Sequence, residues 1–197
     1  ASDVYKRQAF NYIEYRREDV GLHRYTFPAA EDAAVVFDLE NGGCWDKATE
    51  THLEQEGDAR ITGWRYSTGW AKDQRVYFVA EFSKPFAKFE TVGERYARAS
   101  FSTTDGEQVL VKVALSPVSV EGAEANLAAE LPGWDFEATV QAADAKWNAE
   151  LSKVKITTTD QTARQIFYTA LYHTMIAPSV FCDANGDYYG CLLYTSD

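Results

Sequence analysis

Ile166-Phe167-Tyr168-Thr169-Ala170-Leu171-Tyr172-His173-Thr174-Met175, followed by Pro178 and Phe181-Cys182-Asp183-Ala184-Asn185-Gly186-Asp187-Tyr188-Tyr189-Gly190, decides how the rest of the chain is read. The first run reads as a buried helix and the second as a polar, Gly-marked loop. Helices this dense in aromatic side chains pack into a large helical body, and few residues follow this one. The chain therefore reads as a piece of something larger.

Upstream of that helix, Asp160 fits an N-cap, and Ile166, Phe167, Ala170, Leu171 and Met175 form an apolar stripe that Pro178 ends. Val154 to Thr158 reads as a short extended link. Phe136, Val140, Ala143, Trp147 and Leu151 recur every three or four residues, one face of an earlier helix, with Asp135 placed to suit its dipole. Before Pro132 the period is that of strands. Ala33 to Leu39 is a short apolar run closed by Asn41-Gly42-Gly43, Arg60 to Ser67 alternates, and Arg75 to Phe82 is aromatic and β-branched. Tyr96 to Phe101 and Val109 to Leu115 flank Asp105-Gly106, which predicts a hairpin. Several short strands between turns predict a mainly β chain with a β-sandwich, followed by helices, the boundary falling near 130–155.

The 197 residues carry a net charge of −11, with 46% hydrophobic and 14% aromatic side chains. That is ample for a core, and the acidity argues against nucleic acid or an anionic membrane as partner. No apolar run reaches membrane-spanning length. Cys44 and Cys182 stand too far apart in sequence to predict a bridge. No signal peptide is visible, and the chain does not begin with Met. Residues 1–8 and 191–197 fit neither neighbouring pattern and resemble translated sequencing-adapter tails. The organisation expected is a tail over 1–8, a partial N-terminal sandwich domain over 9–130, a helical linker over 131–158, the truncated start of a helical domain over 159–190 and a second tail over 191–197.

No Gly-rich phosphate loop, His-Glu-x-x-His motif or zinc-spaced Cys pair occurs. His23, His52 and His173 are isolated, and His173 reads as a hydrogen-bonded packing residue of an aromatic helix. Gly63 to Gln74 puts Trp64, Tyr66 and Trp70 beside Ser67, Thr68 and Gln74. Aromatic faces next to hydroxyl and amide groups suit a sugar, and a strand corner with core tryptophans explains the same residues equally well. Asp183-Ala184-Asn185-Gly186-Asp187 resembles the first half of a calcium loop, but turn chemistry alone accounts for it and is the reading preferred.

Five stretches in order resemble glycoside hydrolase family 92, the calcium-dependent exo-acting α-mannosidases. They are Val20 to Pro28, Gly63 to Phe86, Val118 to Ala123 with Asn126-Leu127, Pro132 to Phe136, and Phe167 to His173. The resemblance implies an N-terminal, supersandwich-like β-sandwich, a helical linker and an (α/α)6 catalytic barrel that packs on the sandwich. It also implies removal of terminal α-linked mannose, through α-1,2 linkages, from glycans with inversion, and a parent enzyme that bacteria export to the periplasm or beyond. The acid, the base and the Ca2+ ligands of such enzymes lie downstream of Gly190, so no catalytic or metal-binding residue is assigned and the fragment alone is expected to be inactive. By the same resemblance Trp70 is the foremost sugar contact, with Ser67 beside it and Asp183, Tyr188 and Tyr189 on a loop at the barrel mouth. A stand-alone carbohydrate-binding or structural sandwich is the competing reading, and the open apolar stripe of the last helix counts against it.

Overall fold

A computed structural model describes residues 6–12, 17–42, 45–69, 71–176 and 181–189. Among them run nine strands, β1 (Lys6–Tyr12), β2 (Arg17–Phe27), β3 (Ala30–Asp38), β4 (Lys47–Glu56), β5 (Arg60–Thr68), β6 (Gln74–Phe82), β7 (Lys88–Val92), β8 (Tyr96–Thr103) and β9 (Glu107–Ser116). Three helices follow, α1 (Val120–Glu130), α2 (Phe136–Leu151) and α3 (Gln161–Thr174). The strands form two antiparallel sheets, one of six in the order β1-β2-β9-β6-β5-β4 and one of three in the order β3-β8-β7. The mainly β sandwich with helices after it is the fold class predicted. Lys6 to Gln8, set apart as a tail in sequence, run in line with β1 and pair with Tyr25 to His23.

The core between the sheets follows from strand alternation. Phe78, Ala80 and Phe82 of β6 meet Phe101 and Ala99 of β8, with Phe27, Ile61, Val109 and Val111 around them. Phe37 stacks on Phe78 at 6.1 Å, and Phe86 meets Phe82 edge-on at 4.9 Å. Aromatic pairs at such distances add to area burial. Part of the outer face of the larger sheet is buried too. Val20, Leu22, Val79 and Ala114 lie under Ala123 and Leu127 of α1, with Leu131 and Phe136 alongside. Strand β9 is therefore covered on both sides, which is why Val109 to Leu115 reads as a nearly unbroken apolar run. The one charge in that run, Lys112, is buried with its Nζ 4.1 Å from the Trp134 ring centroid and 3.9 Å from Glu81. Burial pulls its pKa below the usual range, opposed by Glu81.

The expected hairpin is corrected. Strand β8 pairs with β3 and β7, and β9 with β2 and β6, so Asp105-Gly106 carries the chain from one sheet to the other. Gly106 adopts a φ of 75°, a left-handed turn that serves either connection. What separates the strands is that β9 needs a cover on each face, and among the described residues it is the six-stranded sheet that α1 covers.

Helices α2 and α3 start where capping chemistry places them. Asp135 accepts from the Ala138 N–H, and Asp160 from those of Thr162 and Ala163. Helix α1 has no counterpart in the periodicity, because Gly122 occupies its first turn and its covered face holds Ala123, Asn126 and Leu127. The apolar stripe of the last helix is open, as its sequence reading has it: α3 buries no residue, Ile166 is 64% exposed, and its ring contact to α2 is Tyr172 on Trp147 at 4.5 Å. His173 is exposed in the last turn of α3 rather than packed within it.

Candidate functional site

Registration of the strands builds an aromatic row on the outer face of the six-stranded sheet. His52 lies opposite Trp64, Trp64 opposite Tyr77, and Tyr77 opposite Ser116. His52 stacks on Trp64 with ring centroids 4.2 Å apart, and Trp64 donates from Nε1 to Glu50 at 3.3 Å. Two residues along β5, Tyr66 lies opposite Arg75, and its hydroxyl meets that of Tyr77 at 2.8 Å. Partial burial, and then the Tyr77 hydroxyl, raise the Tyr66 pKa to about 12.

Arg75 joins this row to the loop after α3. Its guanidinium carbon stands 4.8 Å from the Tyr66 ring centroid and 5.3 Å from that of Tyr189, and it pairs with Asp73 at 2.9 Å. The Asp73 hydrogen bond holds the arginine's pKa above its ordinary value. Tyr189 also points its hydroxyl at Asp73, at 3.5 Å. Tyr188, the next side chain back, is 68% exposed. Rings, a cation and a carboxylate thus share one accessible patch, a set able to stack on C–H faces and bond directionally to hydroxyls.

Asp183 lies at the opposite end of this loop and is buried. Its Oδ2 accepts from the Ser116 hydroxyl and its Oδ1 from the Asn126 amide, each at 2.8 Å. Asn126 accepts in turn from the Ala184 N–H at 2.7 Å and donates to the Leu115 carbonyl at 2.9 Å. A Cβ on Gly122 would stand 2.5 Å from Asp183 Oδ2 and 2.6 Å from Ser116 Oγ, so the first turn of α1 admits this carboxylate only as glycine. Within the loop, Asp183 and Asp187 share a backbone hydrogen bond, and Asn185 and Asp187 bond to each other.

The remaining residues singled out in sequence divide. Trp70 lies outside the described residues. Ser67 is buried on the opposite face of β5, which it shares with Ile61 and Gly63, and its hydroxyl reaches Gln74 at 3.5 Å. Asp46, beside it, is paired with Arg65 at 2.5 Å and titrates below the usual carboxylate range because of that bond. His52, Arg75, Ser116, Asn126 and Gly122 were not marked as site residues, although Arg75, Gly122 and Asn126 lie within the stretches that carry the family resemblance; strand pairing and the return of the loop place them. In the Asp183–Asp187 run, both Asp183 oxygens, Asn185 Oδ1 and Asp187 Oδ2 accept the bonds given above, as turn chemistry has it. Among the described residues no cluster of three His, Cys, Asp or Glu side chains could hold a metal.

Two family models match the chain in succession. That of the glycosyl hydrolase family 92 N-terminal domain covers residues 17–116, and that of the glycosyl hydrolase family 92 catalytic domain covers 122–195. Among solved structures, the chain is similar to the family GH92 alpha-mannosidase BT3965 from Bacteroides thetaiotaomicron, at 30% identity and a TM-score of 0.80, over 87% of this chain and 26% of that one. That enzyme has also been solved in complex with mannoimidazole, matching over 25% of its chain at the same identity and TM-score. The inverting mannosidase BT2199 from the same organism matches at 25% identity and a TM-score of 0.72, over 87% of this chain and 25% of that one. No curated protein matches. The chain thus spans about a quarter of the length of the solved relatives.

Proposed function

This chain belongs to glycosyl hydrolase family 92, and from that premise we propose that it is part of an enzyme removing terminal α-linked mannose, through α-1,2 linkages, from glycans. The observation that carries the reading is the succession of the two family segments on a backbone that follows an α-mannosidase over 87% of its length. In an inverting hydrolysis one carboxylic acid protonates the glycosidic oxygen while a carboxylate activates water on the opposite face, the two standing about 6.5–9.5 Å apart. In this reading both carboxylates, and the ligands of a Ca2+ ion that would hold sugar hydroxyls, come from the part of the enzyme that has no counterpart here.

This chain's own share is one wall of the sugar site. Arg75, Asp73 and Tyr189 offer it a cation, a carboxylate and a ring in one patch, and Trp70 is proposed to stack on the mannose. The open stripe of α3 would be covered by further helices of the catalytic domain. The parent enzyme would be bacterial, periplasmic or extracellular, and act on glycans such as N-glycans or yeast mannan.

The test is release of mannose from an α-1,2-linked mannobiose, followed by NMR of the anomeric proton. The full-length product of the encoding locus should release β-mannose first, and the 197-residue chain alone should release none. Trp70→Ala in the full-length product should lower kcat/KM by about tenfold or more while leaving the unfolding midpoint in place. Turnover by the isolated chain would refute its inactivity, and an inert full-length product would refute the enzyme reading.

A further inference from the structure

The loop 181–189 and the sandwich belong to different family segments, and Asp183 joins them by buried bonds. Its partner Ser116 ends β9, in the N-terminal segment, and its other partner, Asn126, sits in α1 at the start of the catalytic one. The carboxylate is 2% exposed, so each oxygen needs its donor. The Ser116 oxygen is itself oriented by the N–H groups of Val118 and Ser119, at 2.9 and 3.2 Å. A carboxylate held from both sides in this way admits one position of the loop backbone. The loop's internal turn carries that position along the chain: Asp183 N–H donates to the Asp187 carbonyl and Gly186 N–H to the Asp183 carbonyl, each at 2.8 Å. Two residues past Asp187, Tyr189 reaches Arg75 and Asp73.

We infer that Asp183 is a positioning residue: its buried carboxylate anchors the 181–189 loop to the joint of β9 and α1, and thereby sets Tyr188 and Tyr189 at the edge of the sugar site. The inference rests on the mannosidase reading for its ligand, whereas the anchoring stands without it. Tyr189 has further ties to Arg75 of β6 and to Asp73 just before it, but these lie at the accessible end of the loop, where water competes for them.

Two measurements separate the parts. In the chain itself, hydrogen exchange across 182–189 and the ring resonances of labelled Tyr189 are followed in Asp183→Ala and Ser116→Ala. The expected result is exchange faster by about tenfold or more in that loop, with the strands β5, β6 and β9 still protected. The Tyr189 ring signals should move toward those of a free tyrosine in both variants, less in Ser116→Ala, although neither substitution touches Tyr189. If Asp183→Ala does not fold, the milder Ser116→Ala decides. Unchanged exchange and unchanged Tyr189 signals in a folded variant would overturn the anchoring. In the full-length product, Asp183→Asn should raise KM for the mannobiose by about fivefold or more with a smaller change in kcat, as expected for a lost binding contact. Equal KM values would overturn the link to the sugar site. A wild-type product without mannosidase activity would overturn the functional reading and the ligand with it, the exchange result still deciding the anchor.

Discussion

Helix α1 buries Ala123, Asn126 and Leu127 against the outer face of the six-stranded sheet, whereas α3, which carries the fuller apolar stripe, buries nothing. Capping does not separate them, since Ser119 closes one and Asp160 the other by accepting backbone N–H bonds. The difference lies in what each helix meets. Helix α1 lies across β9, β2 and β6, whose outward side chains Val20, Leu22, Val79 and Ala114 are apolar. Helix α3 meets mainly α2, through one aromatic contact. An apolar stripe states what a helix needs, and burial is settled by whether a complementary surface lies within reach.

The harshest way to break that contrast is Leu127→Ala, which should cost about 2–5 kcal/mol because the methyl groups leave a cavity between α1 and the sheet. Urea unfolding followed by tryptophan fluorescence measures it. Gly122→Ala comes next, at about 1–3 kcal/mol, since the new methyl would press on the Asp183 carboxylate and the Ser116 hydroxyl. Its sharper sign is loss of exchange protection at the N-terminal turn of α1. On the other helix Ile166→Ser, at a position 64% exposed, should stay within about 0.5 kcal/mol of wild type in this chain. A penalty like that of Leu127→Ala would mean that α3 is covered in solution, by a second copy for example, and light scattering would then show it.

The smallest effect is an acid one. Asn41 holds the carboxyl of Asp38, Arg65 that of Asp46 and Lys84 that of Glu107 below their ordinary values of 3.8, 3.8 and 4.5. Because these folded-state values are depressed, their contribution is complete above the ordinary values and declines as the pH falls through and below them. All three lie in the sandwich, so mild acid should lower the unfolding midpoint without changing the exposure of α3. Each group is solvent-accessible and screened, so Lys84→Met should shift the acid limb only slightly.

The local elements were largely legible. The spacing from Phe136 to Leu151 and the caps at Asp135 and Asp160 mark two helices that the fold contains, and the runs at Arg60 to Ser67 and Arg75 to Phe82 lie within β5 and β6. Helix α1 was not, because its buried face includes an asparagine and its first turn a glycine, both of which read as loop. Tyr188, Tyr189 and Asp183 were singled out together from their loop, yet only Tyr188 and Tyr189 present themselves at the surface, while Asp183 turns inward to Ser116 and Asn126.

Alternation and capping act over a few residues, so the sequence by itself determined the strands β3, β5, β6, β8 and β9, the last two helices and, through ordered motifs, the family. Pairing across 50 residues or more was decided only by the tertiary structure. It sent β9 away from β8 although a turn suited to a hairpin joins them. It also brought residue 183 back to 116 and 126, where a single glycine leaves room for a buried carboxylate. The physical reason is common to both: a turn or an aspartate has the same local chemistry in either setting, and what selects between settings is the cover that distant parts of the chain provide.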